Sequence, residues 1–287
     1  MTIQIITDGN SDLSTEIIHQ LGISIVPLHI HFGSETYDSS MNTDLFYQKM
    51  RDSEELPKTS SPSPGDFYNI YKSLDPSKDI LVLCVTSQLS STYNHALMAK
   101  DMYEEEGYTN KIEVIDSRTA SAGLGFLAVK AALLSKAGHS FHELQEKLKE
   151  CVKQTRTYFS LDTLENVVKG GRMSRLKGTV ASMLNIKILM QASDEGAIEV
   201  VEKVRGTQRV LKRMIDKVGD AWQYADRSLI ALAHSNCEER AKQFMSNLME
   251  KYPFENVLYL NMGPVIGTYA GEGGILIAFQ DASKDYE

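Results

Sequence analysis

Two hydroxyl-rich turns are the parts of this 287-residue chain best suited to chemistry: Thr59-Ser60-Ser61-Pro62-Ser63-Pro64-Gly65-Asp66-Phe67 and Thr86-Ser87-Gln88-Leu89-Ser90-Ser91-Thr92-Tyr93. Each is expected to open a helix. A helix N-terminus carries unpaired N–H groups and a partial positive charge, so hydroxyl donors beside two such ends suit a carboxylate or a phosphate without any lysine. In the first turn Ser63 is placed as an N-cap, Pro64 as the first helical residue, where its missing N–H costs nothing, and Asp66 as the acidic partner of a capping box. In the second, Ser90 is placed to cap the helix that follows. Capping also explains hydroxyls at such positions, so a shared anion site and two well-capped surface helices are both open readings.

Two glycine-rich segments are the next candidates. Lys169-Gly170-Gly171-Arg172-Met173-Ser174 could cradle a phosphate with glycine N–H groups while Arg172 supplies a fork of donors. It lacks P-loop spacing and does not follow a strand, and a helix stop with a surface arginine explains it equally well. The stretch 263–274 holds five glycines in twelve residues, which implies close backbone approach beside Thr268 and Tyr269, or an irregular loop needing positive φ. No nucleophile–base pair stands out. The seven histidines form neither HxxxH nor HExxH spacing, and Asp8 and Asp116, each just after a strand, fit loop capping better than Mg²⁺.

The elements that must position these residues alternate in the first half. Strands are expected near residues 3–6, 23–29, 80–85 and 112–115, with helices near 15–20, 44–51, 67–72 and 92–105, an order that favours a parallel α/β unit. In such sheets ligands gather beyond the carboxyl ends of strands, where three polar turns here follow. A small-residue helical stretch at 120–128 is expected to pack tightly on the sheet, and an amphipathic helix at 142–154 ends the unit. The second half reads as a smaller α/β unit with a mixed sheet. It has strands near 158–161, 186–190, 197–204, 228–233, 257–260 and 275–279, and helices near 162–168, 179–184, 208–221 and 238–251. The expected division is 1–156 and 157–287.

Composition narrows the function classes. A net charge of -8 and a pI near 5.5 argue against general binding of nucleic acid or anionic membranes, which needs concentrated Lys and Arg. Cys84, Cys151 and Cys237 are far apart and odd in number, without CxxC, so neither a disulfide framework nor a zinc site is suggested. The N-terminus starts at once on a strand-like run, and no apolar stretch approaches the roughly 20 residues of a membrane span, so a cytoplasmic protein without stable membrane insertion is expected.

Taken together, the turns resemble the DegV family of bacterial proteins, whose better-understood members are the fatty-acid-binding subunits of fatty acid kinase. Residues 7–13 (TDGNSDL) resemble the family's TDSxxDL and residues 57–67 resemble PTTSQPSPGDF. Residues 87–93 are similar to SSxLSGTY, 115–117 to the IDS turn, 169–174 to KGGRIS and 263–273 to GPVIGTHTGPG. Tyr269 stands where the family often has His, Ser91 replaces the Gly of LSGTY, Gly9 the Ser of TDS and Ser61 the Gln of TSQP, while Lys58 stands where Thr is common.

The resemblance implies a two-domain α/β carrier, not an enzyme, that encloses one long-chain fatty acid in an apolar tunnel and presents it to the fatty acid kinase catalytic subunit for acyl-phosphate formation. By position, Thr59, Ser60, Ser87 and Ser90 would bind the carboxylate, and Arg172, Thr268 and Tyr269 would lie at a portal where the kinase docks. No metal and no cofactor beyond the bound acid is implied. The competing reading is an enzyme or sensor that binds a phosphorylated small molecule in the interdomain cleft through Arg172 and the hydroxyl turns.

Overall fold

The computed structural model describes residues 3–173 and 185–282. In chain order these form β1 (Gln4–Asp8), α1 (Thr15–Leu21), β2 (Ile23–Val26), β3 (His29–Phe32), β4 (Glu35–Asp38), α2 (Thr43–Asp52), β5 (Lys58–Ser60), α3 (Pro64–Ser73), β6 (Ile80–Cys84), α4 (Thr92–Glu105), β7 (Ile112–Asp116), α5 (Ala122–Lys136) and α6 (Phe141–Gln154). Then follow β8 (Thr155–Ser160), α7 (Glu165–Lys169), β9 (Ile186–Ala192), β10 (Ile198–Arg205), α8 (Thr207–Ala221), β11 (Ile230–His234), α9 (Glu238–Lys251), β12 (Val257–Asn261), α10 (Pro264–Ala270) and β13 (Ile275–Gln280). The helix expected near residues 179–184, and Ser174, lie outside the described residues.

The first sheet is wholly parallel, in the order β2-β1-β6-β7. Every residue of β6 is buried, as an apolar run covered by helices on both faces should be. After β1 the chain adds β2 on one side, then returns to add β6 on the other. The strand order therefore reverses between β1 and β6, which is where open α/β sheets bind ligands. The second sheet is mixed, in the order β10-β9-β8-β13-β11-β12, with only β11 and β12 parallel. A third, small antiparallel sheet, β4-β3-β5, carries the first hydroxyl turn. The strand expected over 23–29 is in fact two. The ladder of β2 stops at Val26 because Pro27 has no N–H to donate, and the chain passes into the small sheet.

The layers explain the helix compositions. α3 and α4 pack on one face of the parallel sheet, with Ile6, Val82 and Val114. α5 fills the space between the other face, with Leu81 and Leu83, and the inner face of the mixed sheet, with Ala231 and Leu276. A helix between two sheets has no polar side, and eleven residues of α5 are buried. Tight packing is also the reason for its small residues, since a Cβ at Gly125 would stand 2.6 Å from the Ser11 carbonyl oxygen. α8 and α9 cover the outer face of the mixed sheet. The stretch 263–274 is helical over Pro264–Ala270, and only its end, with Gly271 and Gly273 at positive φ, is the expected loop. Pro264 starts α10 at a position that needs no N–H donor, and Gly271 ends it at φ 63°. β8 begins at Thr155, two residues ahead of the unit expected to start at 157.

Candidate functional site

The site is built where the parallel sheet reverses order. Asp8, fully buried at the end of β1, accepts the Asn10 N–H at 2.9 Å, the Asn10 side-chain amide at 2.7 Å and the Val85 N–H at 2.8 Å. It thereby joins the carboxyl ends of β1 and β6. Burial raises its carboxyl above the ordinary range, opposed by these three donors. Asp116 accepts the Ser87 N–H at 3.2 Å and the Arg118 N–H at 2.9 Å. Both aspartates hold loops, and no cluster of three His, Cys, Asp or Glu suited to a metal occurs among the described residues.

Beyond these strand ends lies a cavity of about 600 Å³, within the range of about 300–1,000 Å³ usual for ligand sites. Its wall is mainly apolar, including Phe159, Leu161, Ile198 and Leu276, and its hydroxyls come from both turns. The turns touch each other. Ser61 Oγ lies 2.7 Å from Ser91 Oγ, and His95 Nδ1 is 2.7 Å from the Pro62 carbonyl. A carbonyl only accepts, so His95 carries a proton on Nδ1. Ser63 and Asp66 form the expected capping box on α3, whereas Ser91, not Ser90, is the N-cap of α4. Ser90 Oγ accepts the Thr92 N–H at 3.3 Å and lies 2.8 Å from Thr92 Oγ1.

Of the seven residues expected to act, five line this cavity: Thr59, Ser60, Ser90, Arg172 and Tyr269. Ser87 and Thr268 do not. The Ser87 N–H is turned to Asp116, and the fully buried Thr268 hydroxyl donates at 2.8 Å to the Pro264 carbonyl one turn back in α10. Thr59 Oγ1 lies 2.5 Å from the Tyr269 hydroxyl, joining the small sheet to α10 across 210 positions of sequence. The Arg172 guanidinium stacks 4.6 Å from the Tyr269 ring centre. It also donates to the Gly170 carbonyl at 2.8 Å and the Leu89 carbonyl at 3.3 Å. A Cβ at Gly170 would stand 2.5 Å from Tyr269 Cε1, so the lack of a side chain there lets the ring lie against the turn. Arg172 makes no salt bridge among the described residues, which leaves a cation beside the hydroxyls.

Lys58 points the other way. Alternation along β5 puts it on the face opposite Thr59, and it is exposed. Ser60 borders the cavity, but its hydroxyl is on that outer face, 3.2 Å from His31 Nε2, whose Nδ1 is 3.0 Å from Thr36 Oγ1. This serine–histidine contact was not legible in the sequence, and it has a hydroxyl where a triad would have an orienting carboxylate. Sequence reasoning also missed His95, although it sits one turn after Ser91 on α4 and so faces the same way, and it missed the cavity residues Thr119 and Thr157.

The family model described as an uncharacterised protein, DegV family, matches residues 2–281. A DegV domain-containing protein of Streptococcus pneumoniae is 32% identical over 285 residues, covering 98% of this chain and 99% of its own. Among solved structures, a DegV-family protein from Ruminococcus gnavus with vaccenic acid superposes with a TM-score of 0.89 at 32% identity, covering 97% of this chain and 99% of the other. The fatty acid kinase B3 protein of S. pneumoniae, loaded with linoleic acid, superposes with a TM-score of 0.87 at 29% identity, covering 98% and 100%.

Proposed function

The chain belongs to the DegV family, and on that premise we propose that it binds one long-chain fatty acid, tail in the apolar cavity and carboxylate among the turn hydroxyls, and presents it to a fatty acid kinase. The observation that carries this reading is the meeting of both turns, through Ser61 and Ser91, at one cavity with a mainly apolar wall. The solved relatives with vaccenic and linoleic acid supply the ligand class. Thr59 and Ser90 are the first carboxylate donors in this proposal, with Ser60 beside them, while Ser87 acts through its loop. Arg172 and Tyr269 mark the portal. The units 1–156 and 157–287 supply opposite walls.

Magnitudes favour a carrier. Burying about 14 methylenes at roughly 0.8 kcal/mol each offers on the order of 11 kcal/mol before association costs. Hydrogen bonds to the charged head contribute about 1.5–3 kcal/mol apiece, so Thr59 and Ser90 together supply less than the tail and mainly orient the head. The acid is bound, and the chemistry at its carboxylate falls to the kinase.

Native mass spectrometry of the purified chain, followed by extraction of what it carries, tests the ligand. An added mass of one fatty acid is the expected result, and a protein that stays free of lipid after incubation with oleate and palmitate overturns it. Acyl-phosphate formation on addition of a fatty acid kinase catalytic subunit and ATP tests presentation; a loaded protein that yields none refutes that part alone.

A further inference from the structure

The cavity wall carries a second polar point. Thr119, in the loop after β7, and Thr157, in β8, both line the cavity, and they are only 3% and 4% exposed. Their Oγ1 atoms lie 2.8 Å apart. Thr157 is on the same face of β8 as Phe159, so the pair interrupts an apolar surface. The fold makes room for it, since a Cβ at Gly123 would stand 2.2 Å from Thr119 Oγ1 and 2.8 Å from Thr157 Oγ1.

Two hydroxyls bring two protons, and a contact between them uses one. Neither hydroxyl has another partner among the described residues, so the second proton has no protein acceptor. Nearby Ser121 differs, because it gives its proton to Asp12. A buried hydroxyl proton without an acceptor is unfavourable, and an oxygen on whatever fills the cavity would satisfy it.

We infer that the Thr119–Thr157 pair is a second recognition point, for an acceptor oxygen carried partway along the ligand's chain. This rests on the acyl-chain reading above and extends it: the ligand class includes long-chain acids with a mid-chain hydroxyl or keto group. An unsubstituted chain brings only methylenes to the pair, whereas an oxygenated one repays its own desolvation there.

Calorimetric binding of octadecanoic acid and a panel of its mid-chain hydroxy and keto derivatives to the full chain decides the matter, comparing the unaltered protein with T119V, T157V and the double variant. At least one positional isomer should bind the unaltered protein as tightly as octadecanoic acid or tighter, and lose about tenfold in the double variant while octadecanoic acid does not weaken. Oxygenated acids that are all weaker than the parent acid, by the same factor in both proteins, overturn the inference. A loss for octadecanoic acid equal to that of its derivatives also overturns it, since the pair would then serve the carboxylate. If valine lowers the melting transition, T119S and T157S, which keep the hydroxyls, must restore the preference. Failure of octadecanoic acid itself to bind refutes the acyl-chain reading instead.

Discussion

The Thr59–Tyr269 contact is where a single atom matters most. The phenol oxygen lies 2.5 Å from Thr59 Oγ1, while its ring is held by Arg172 on one face and by the bare Gly170 at its edge. Tyr269→Phe removes the oxygen and keeps the ring, and Thr59→Val removes the partner at constant shape. Each should cost about 1 kcal/mol of stability, visible as a small fall in the urea midpoint. If the chain binds a fatty acid as proposed, lipid retention should survive both, because the tail would dominate the binding energy, whereas acyl-phosphate formation should fall by at least about tenfold as the head loses its fixed place. A lipid-free but folded Thr59→Val protein would contradict this division of labour. Arg172→Lys keeps the charge but loses the flat surface that stacks on the ring, and it should slow head-group transfer without unfolding the chain.

Elements decide how those atoms come to meet, and they were legible to different degrees. α4 and α9 fall on their expected ends, residues 92–105 and 238–251; α9 is clearly amphipathic, and in α4 the buried Thr92, Ala96, Ala99 and Tyr103 recur at helical spacing. The capping box at Ser63 was readable because all its partners lie within four residues. Its worth is testable: Ser63→Ala should lower stability by about 1 kcal/mol through loss of the cap on α3, read from the urea midpoint. The small sheet was not legible, since β3, β4 and β5 are only three or four residues long; β3 and β4 form a local hairpin about Gly33-Ser34, whereas β5 gains its pairing from a chain-distant neighbour, Thr59 opposite Ile30. α10 hid behind its glycines; Gly267 is there because a Cβ would meet Phe46 Cε1 at 2.7 Å, a contact no local pattern encodes. The same holds for the site. The hydroxyl turns could be read as anion donors, but their junction at Ser61 and Ser91, and the Arg172–Tyr269 stack, exist only in the fold. Gly170→Ala tests that stack as a property of the α7 turn. The new methyl must displace the Tyr269 ring, with a cost of about 1–3 kcal/mol and slower acyl transfer, while Gly171→Ala, where nothing lies within 4 Å but φ is 79°, should destabilise without moving the ring.

At the scale of the whole molecule, one carboxylate ties the layers together. Asp12, held at φ 55° in the turn after β1, accepts the Ser121 hydroxyl at 2.5 Å at the start of α5 and the Gly263 N–H at 2.8 Å at the cap of α10. It therefore links the parallel sheet, the central helix and the helix that carries Val265, Ile266 and Tyr269 into the cavity wall. Removal from water pushes its carboxyl up to about 7; the Ser121 and Gly263 donors pull it down, and the neighbouring Asp8 raises it further. The native state therefore holds this proton more tightly than the unfolded chain does. Its stabilising contribution is complete below about pH 4 and is lost as pH rises through about 7. His234 acts the other way, because burial lowers its imidazole and makes unfolding easier in acid. The comparison that isolates Asp12 is therefore with Asp12→Asn, which imitates the protonated acid and can still accept from Gly263 while donating to Ser121. Urea unfolding between about pH 5 and pH 8 should show the parent losing stability relative to the asparagine variant as pH rises, with the gap widening up to about pH 7 and constant above it. Parallel stability curves for the two proteins would show instead that the carboxylate is ionised throughout that range, its burial offset by the Ser121 and Gly263 donors.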